Sequence, residues 1–383
     1  MKIVVAPNAL KGSLSAEAAA RAMSAGVRLA IPAAEIVEMP VADGGDGLLE
    51  VLGAGQDLQR IACSVTGPLG NPVAADLLYA ADRSLAIIEM ATAAGLALLP
   101  ATELDPMQAT TFGVGELLRL ALDQGARHII LGIGGSASSD GGTGLARALG
   151  ARFLDVHGNE LPGNAAALPR IERIDLERLD PRLAQTRIDV ICDVDNPLLG
   201  VQGAAQVFAP QKGASPAQVA AIEAGLDNLA RRVQQQLGRD IRQLRGGGAA
   251  GGLGAGLVAF LQAELRPGAE VVLELTGFEA ALAGASLVLT AEGRLDSQTA
   301  RGKAPAEVAR LANRGGIPCV AIAGSLGTEL ASLQAAGISA CFSLCPGPLA
   351  LDTAMQQAAP LLTRTCEQVV RCFLAGNPAL LQS

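Results

Sequence analysis

The sequence predicts an α/β protein of two domains: one on a Rossmann- or flavodoxin-like parallel sheet, the other an inserted α/β domain with a mixed sheet. Three observations support this prediction. Short apolar runs alternate with amphipathic stretches throughout the 383 residues. The apolar runs are continuous, which is typical of parallel strands covered on both faces. The length itself favours two domains.

Each predicted element follows from its pattern. Apolar runs predict eight strands: Ile3–Ala6, Ile36–Pro40, Leu85–Met90, His128–Ile133, Ile188–Cys192, Leu287–Ala291, Cys319–Ala323 and Ala340–Leu344. Helical periodicity predicts five helices: Ala16–Ala30, Glu116–Asp123, Pro216–Leu237, Pro305–Asn313 and Met355–Leu374. Residues 163–187, rich in charge and proline, are expected to form an excursion over the surface. We place residues 1–65 and 285–383 in the discontinuous Rossmann-like domain and 66–284 in the insert.

Composition limits the partners and the compartment. The net charge of −8 and the 2% of aromatic residues argue against binding to nucleic acid or an anionic membrane. Seven scattered cysteines without a C-x-x-C pair suit reduced thiols, so we expect a cytoplasmic protein. For the oligomeric state we expect a monomer or a homodimer. The longest apolar stretch, 85–101, is interrupted by Glu89 and Pro100 and predicts no transmembrane helix.

Lysine usage points to anion sites. The chain has four lysines, and its other basic residues are all arginine. Lys11, Lys212 and Lys303 lie in short polar stretches that contain glycine. A lysine kept against such a bias suggests that a compact ammonium is required, as beside a phosphate. The alternative is chance in a small sample.

Polar, glycine-bearing loops follow the predicted strands, where ligands bind in open α/β sheets. In residues 42–47, the carboxylates of Asp43 and Asp46 can hold Mg²⁺ or a hydroxyl, and Gly44 and Gly45 let the backbone approach a ligand closely. The alternative is an ordinary turn before a helix, with an aspartate as its N-cap. Thr110 and Thr111 open a helix and either bind an anion or cap that helix.

The longest loop, Gly132–Gly144, follows the strand that begins at His128. Its glycines and hydroxyls suit phosphates, and we select Gly134, Gly135, Ser136 and Asp140 from it. Gly132–Ala137 also matches G-x-G-x-x-[GA], and Asp155 lies where a ribose-binding acid would be. An NAD(P)-dependent hydroxy-acid dehydrogenase is therefore the alternative enzyme, and a non-enzymatic sugar-acid sensor is a third possibility.

Three further loops carry charged groups. Asp193 directly follows a predicted buried strand. It is placed to act as a general base or a metal ligand, or alternatively to form an Asx-turn. Asn196, three residues later, is a further candidate. Gln211 and Lys212 share a short turn. After the strand Leu287–Ala291 come the last candidates: Glu292, Arg294, Asp296, Gln298 and Lys303. There is no G-x-x-x-x-G-K-[ST] and no G-x-S-x-G, so the sequence supports neither a P-loop nor a serine hydrolase.

In this order, the loops resemble the bacterial glycerate kinase family of the glycerate 2-kinase type, from residue 2 to about residue 373. The family's A-P-D-S-F-K-x-S-L-S-A corresponds to Ala6–Ala16, where Asn8, Ala9 and Leu10 depart from it and Ser13 is kept. Its A-D-G-G-E-G and G-I-G-G-S-A-T-N-D-G-G correspond to 42–47 and 132–142. C-D-V-x-N-P-L, P-Q-K-G-A and T-G-E-G-R-[IL]-D-x-Q follow, the last with Ala291 for its glycine.

The resemblance implies ATP- and Mg²⁺-dependent phosphorylation of D-glycerate, with 2-phosphoglycerate as the expected product, in an interdomain cleft. We assign Asp193 as acceptor of the hydroxyl proton, with Asp43 and Asp296 as lesser candidates. Asp193 or Asp43 would also hold Mg²⁺. Arg294 or Lys212 would bind the glycerate carboxylate. Nucleotide contacts are expected from Gly134–Ser136, Asp140 and Lys303, with the other selected residues lining the ligands.

Overall fold

The structure is a computed structural model that describes residues 1–10, 12–42, 48–53, 58–297, 299–328 and 330–377, with Arg301 described by its main chain alone. The strands are β1 (Lys2–Val5), β2 (Glu35–Glu38), β3 (Gln59–Thr66), β4 (Pro72–Ala80), β5 (Leu85–Glu89), β6 (His128–Gly132), β7 (Arg152–Leu154), β8 (Arg173–Asp175), β9 (Arg187–Ile191), β10 (Glu264–Arg266), β11 (Ala285–Leu295), β12 (Cys319–Leu326) and β13 (Ala340–Ser343).

The α-helices are α1 (Ala16–Ala30), α2 (Leu48–Gly53), α3 (Ala91–Ala94), α4 (Phe112–Asp123), α5 (Thr143–Ala148), α6 (Ala204–Phe208), α7 (Pro216–Leu237), α8 (Ala249–Leu261), α9 (Gly268–Leu275), α10 (Phe278–Ala281), α11 (Ala304–Arg314), α12 (Leu330–Ala335), α13 (Leu351–Gln356) and α14 (Ala358–Gly376). Short 3-10 turns connect several of them, including Pro210–Lys212. Within the described part of the chain, no helix has the length and apolar character needed to cross a membrane.

The chain divides into two compact units, residues 1–43 with 267–383, and residues 44–266. The sequence boundary near 65 differs because β3 pairs antiparallel with β4 and thereby belongs to the inserted unit. The boundary near 285 differs because α9 packs against α11 of the discontinuous unit.

The discontinuous unit has a five-stranded sheet in the order β13-β12-β11-β1-β2, with all pairs parallel. Its core contains Ile3, Val5, Leu287 and Leu289, which are fully buried. Helix α1 begins where Ser15 accepts a bond from the Ala18 amide at 3.2 Å, and α1 packs against α14. These features confirm the predicted parallel sheet.

The inserted unit has a six-stranded mixed sheet in the order β10-β9-β6-β5-β4-β3. Strands β10, β9, β6 and β5 are parallel, and β4 and β3 extend the sheet in antiparallel fashion. A separate antiparallel pair, β7 and β8, lies outside this sheet. The unit has its own apolar core, and the mixed sheet agrees with the predicted fold class.

Candidate active site

The loop after β6 is a glycine-rich loop of the inserted unit that contains three serines and an aspartate. It runs from Ile133 to Gly142 and is bonded to a neighbouring segment of the chain, because Leu96 N donates to Gly135 O at 2.8 Å and Ala137 N donates to Ala94 O at 2.9 Å. Gly135 has a φ of +72°, a conformation that favours glycine. Within the described residues, the amides of Gly134 and Gly135 donate no hydrogen bond. Two such amides at an accessible turn can bind an anion.

Asp140 is fully buried at the end of this loop and joins two helix starts. Its Oδ2 accepts bonds from Thr111 N and Thr111 Oγ1, both at 2.8 Å, and from Gly144 N at 3.2 Å, while its Oδ1 accepts from Gly142 N at 3.1 Å. Burial raises the pKa of this carboxyl, and the bonds from Thr111, Gly142 and Gly144 oppose that rise. Asp140 therefore braces the N-termini of α4 and α5.

The two threonines selected from the sequence serve the same brace. Thr111 is fully buried, and its Oγ1 also accepts a bond from Leu145 N at 2.9 Å. Thr110 Oγ1 accepts a bond from Phe112 N at 3.2 Å. A Cβ on Gly144 would lie 2.2 Å from Thr110 Oγ1, so only glycine fits where the two helices meet. These bonds join the starts of α4 and α5, while the side chain of Thr111 makes no capping bond to α4 itself.

Lys212 lies beneath the same loop with 2% of its surface exposed. Its Nζ donates to Ser136 Oγ at 2.7 Å and to the carbonyl oxygen of Ser138 by a short bond. Burial lowers the pKa of Lys212 to about 7, against the opposing effect of the Asp140 charge. The lysine thus binds the loop from inside, while the neighbouring Gln211 is exposed.

The loop after β9 presents two exposed aspartates. Asp193 is exposed two residues past the buried end of β9 at Ile191. Asp195 forms an ion pair with Arg245, with oxygen–nitrogen distances of 2.6 and 2.9 Å. Asn196 shapes the turn that follows, since its Nδ2 donates to Gln202 O at 2.8 Å. Asp193 and Asp195 are thus both exposed, two residues apart in the same loop.

In the discontinuous unit, the polar residues collect at the carboxyl end of β11. Glu292 is nearly buried in this strand, and its Oε2 accepts a bond from Thr299 Oγ1 at 3.0 Å. Arg294, which is largely exposed, pairs with Asp296 at 3.1 Å. Lys303 is half-buried at the N-cap of α11. A strand end thus supplies carboxylates, a guanidinium and an ammonium within twelve residues of chain.

The β1 loop lies at the same edge of this sheet. Asn8 is buried and donates its backbone amide to Ala291 O at 2.8 Å, while Ala9 N donates to Asn8 Oδ1 at 2.8 Å. Ser13 Oγ donates to Met355 O at 2.9 Å. Five predicted residues lie outside the described part of the chain: Lys11, Asp43, Gly44, Gly45 and Gln298.

Three polar residues of these loops were not among those selected from the sequence. Thr299 is fully buried, and its Oγ1 donates a hydrogen bond to Glu292. In the sequence, only its position three residues after Asp296 pointed to this role. The hydroxyls of Ser138 and Ser139 are buried and have no hydrogen-bond partner in the part of the chain that the structure describes. In the sequence, these two serines belong to a run of hydroxyl residues between glycines, and from that run we selected only Ser136 as a candidate.

No group of three or more His, Cys, Asp or Glu side chains among the described residues could hold a metal ion. Mg²⁺ in phosphoryl-transfer enzymes commonly takes one or two protein carboxylates, with phosphate oxygens and water completing its shell. The exposed Asp193 carboxylate fits that smaller requirement.

Comparison with known proteins shows similarity that extends beyond these loops to nearly the whole chain. The model of the glycerate kinase family matches residues 3–374. The chain belongs to the glycerate kinase family. It is 45% identical to a glycerate kinase of Halalkalibacterium halodurans, over 96% of this chain and 97% of that one. It is 43% identical to the glycerate 2-kinase of Escherichia coli, over 98% and 99% of the two chains.

A solved structure shows the same fold. The protein described as glycerate kinase 2 from Salmonella typhimurium LT2 superposes with a TM-score of 0.87 at 43% identity, over 99% of both chains. The fold class and the family resemblance read from the sequence are therefore confirmed.

The dehydrogenase alternative is not supported by this family membership. In the structure, the glycine fingerprint Gly132–Ala137 opens no helix, because α5 begins only at Thr143. Asp155 follows β7, which pairs only with β8 among the described strands and does not enter the parallel sheet. Its carboxylate accepts bonds from the backbone amides of His157 and Asn159, at 2.8 and 2.9 Å. Asp155 thus holds a local turn.

Proposed function

We propose that the protein is an ATP-dependent kinase that phosphorylates D-glycerate, with 2-phosphoglycerate as the product. The observation that carries the proposal is the agreement with glycerate kinases over nearly the whole length of both chains. The polar loops at strand ends support it, because phosphoryl transfer depends mainly on positioning and on charge neutralisation.

We assign the phosphate contacts to the loop after β6 and to Lys303. The accessible amides of Gly134 and Gly135 are suited to phosphate oxygens, and Ser136 follows them. The half-buried ammonium of Lys303 lies where a helix N-terminus adds positive potential. In this assignment Asp140, Thr110 and Thr111 shape the loop and do not contact the nucleotide.

We assign Asp193 as the group that accepts the proton of the glycerate hydroxyl, because it is exposed on a strand end that the buried sheet holds rigid. Asp296 and Asp43, the latter outside the described residues, are the lesser candidates. When bound with ATP, Mg²⁺ would neutralise phosphate charge, and Asp193 or Asp43 would hold it. Arg294 remains the candidate for the glycerate carboxylate, since an exposed guanidinium can form a bidentate pair.

Two broader expectations remain proposals. The seven cysteines are all free thiols, which supports the cytoplasm as the compartment. The oligomer, monomer or homodimer, is to be determined by light scattering.

The activity is tested by incubating the purified protein with D-glycerate, ATP and Mg²⁺ and measuring ADP and the phosphoglycerate product. We expect ADP release that requires both glycerate and Mg²⁺, with 2-phosphoglycerate identified by its phosphorus NMR resonance. L-glycerate and lactate serve as control acceptors. ADP release independent of glycerate, from protein with a normal circular dichroism spectrum, would contradict the proposal.

A further inference from the structure

The side chain of Lys212 cannot act as an accessible ligand group in this structure. Two percent of the residue is exposed, and at least two of the three ammonium donors are directed into the loop after β6. These bonds span 76 and 74 residues of chain, from the turn at 210–212 to Ser136 and Ser138. The sequence interpretation of Lys212 as a contact for the glycerate carboxylate therefore does not fit its burial.

We propose that Lys212 is a positioning residue: its ammonium holds the Gly134–Ser139 loop in the shape that presents the amides of Gly134 and Gly135 to nucleotide phosphates. This inference rests on the proposed kinase function and assigns the lysine a place within it. Ser136 directly follows Gly135, and Ser138 lies two residues further along the chain. The two bonds from Lys212 therefore hold the part of the loop that comes just after the accessible amides.

The packing around the loop supports the same role. Gly251 of α8 lies against the Ser138–Ser139 backbone, where a Cβ would come within 2.2 Å of Ser138 O, and Gly141 N donates to Gly251 O at 3.1 Å. Three successive residues of α8, 250–252, have positive φ, of 53°, 66° and 89°. Because Ala250 is not glycine, this backbone is strained, as is common beside functional loops. The loop thus lies between a strained helix start and a buried ammonium.

The hydroxyls of Ser138 and Ser139 add a second observation. Both are buried and, among the residues that the structure describes, have no hydrogen-bond partner, which is destabilising in a loop of purely structural purpose. A loop selected for packing alone would carry alanine at these positions, as it does at Ala137. These unpaired hydroxyls indicate that packing alone does not determine the residues of this loop.

The experiment replaces Lys212 by methionine, which keeps the length and removes the charge and the donors. We expect the KM for ATP to rise and kcat to fall, together roughly 10- to 100-fold in kcat/KM for ATP, with the KM for glycerate changed less than about threefold. Lys303→Met is the matched comparison for a lysine assigned to direct phosphate contact. A rise in the KM for glycerate alone would overturn the proposal in favour of direct binding of the carboxylate, and unchanged kinetics would overturn it in favour of a structural role.

A second readout tests the buried ammonium without enzyme activity. The pKa of Lys212 is about 7 in the folded protein and 10.5 at its ordinary value, so the unfolded chain binds more protons between these limits. Below pH 7 both states are protonated, and the cost of burying the charge is fully present. The free energy of unfolding should therefore rise from pH 7 to 9 more steeply in the wild type than in Lys212→Met. Asp140 is the charged group that acts on this ammonium, and it is kept in both proteins.

Two further measurements keep the test decisive. If Lys212→Met does not fold, Ser136→Ala removes one partner of the lysine and should produce a smaller change of the same pattern; an unchanged KM for ATP in this variant would then overturn the proposal. If the wild type fails to phosphorylate glycerate, calorimetric titration of both proteins with ATP separates the two claims. Equal ATP affinity of wild type and variant would overturn the positioning role independently of the substrate.

Discussion

Two aspartates after β9 allow the base assignment to be tested at single residues. Asp193→Asn should lower kcat by roughly 10²–10⁴, because the amide keeps the volume and cannot accept the glycerate proton. ATP affinity should change little, as measured by calorimetric titration. Asp195→Asn is the matched control: its exposed pair with Arg245 contributes at most about 1 kcal/mol, and turnover should stay near the wild-type value. Equal losses at both positions would instead indicate shared metal binding.

At this scale, the sequence did not predict which of the selected residues are buried. Asp140 and Lys212 were selected as ligand contacts because of their residue types and their glycine-rich surroundings. In the structure both are buried, through contacts with residues 29 and 76 positions away along the chain. Burial of this kind depends on long-range packing, which a local pattern does not encode. Asp193, by contrast, lies two residues past the buried end of β9, next to the apolar run from which its position was predicted.

At the scale of elements, Asp140 provides a test of how α4 and α5 are held together. Asp140→Asn leaves one oxygen to accept bonds from the amides of Thr111, Gly142 and Gly144, so at least one buried donor loses its partner. We expect the free energy of unfolding to fall by about 2–4 kcal/mol in urea denaturation. Asp155→Asn is the control, because Asp155 also accepts several bonds but lies in an exposed turn. Equal destabilisation by the two changes would refute the brace.

The predicted helices and strands agree with the structure where one sequence pattern is clear. They differ from it where tertiary packing or a proline determines the local structure. Helices α1 and α7 have the predicted bounds, since serine N-caps precede both. The antiparallel strands β3 and β4 were missed, because β3 is an edge strand with little continuous apolar character. The predicted helix 355–374 is two helices, α13 and α14. Pro360 lies in the first turn of α14, where proline is tolerated because it needs no amide bond, whereas a continuous helix would place it in the interior.

At the scale of the whole molecule, chain connectivity constrains the order of folding. The discontinuous unit pairs β1 with β11 in parallel, Ile3 beside Leu287, although the inserted unit separates them in sequence. Closing so long a loop costs entropy before the pair contributes stability. The inserted unit has its own core and needs no such closure for its parallel pair β5 and β6. Folding of the insert first would shorten the effective loop between β1 and β11.

This connectivity predicts late protection of β1 during refolding. In pulse-labelled hydrogen exchange followed by mass spectrometry, the amides of β5 and β6 should become protected before those of β1. Strands β11 and β12 are the control within the discontinuous unit, because they pair in parallel over a short separation, Val288 beside Cys319. Their amides should therefore gain protection before β1 as well, although they share its sheet. Simultaneous protection of β1, β5 and β6 would show that loop closure does not limit the assembly of this sheet, and that the two units fold as one cooperative system.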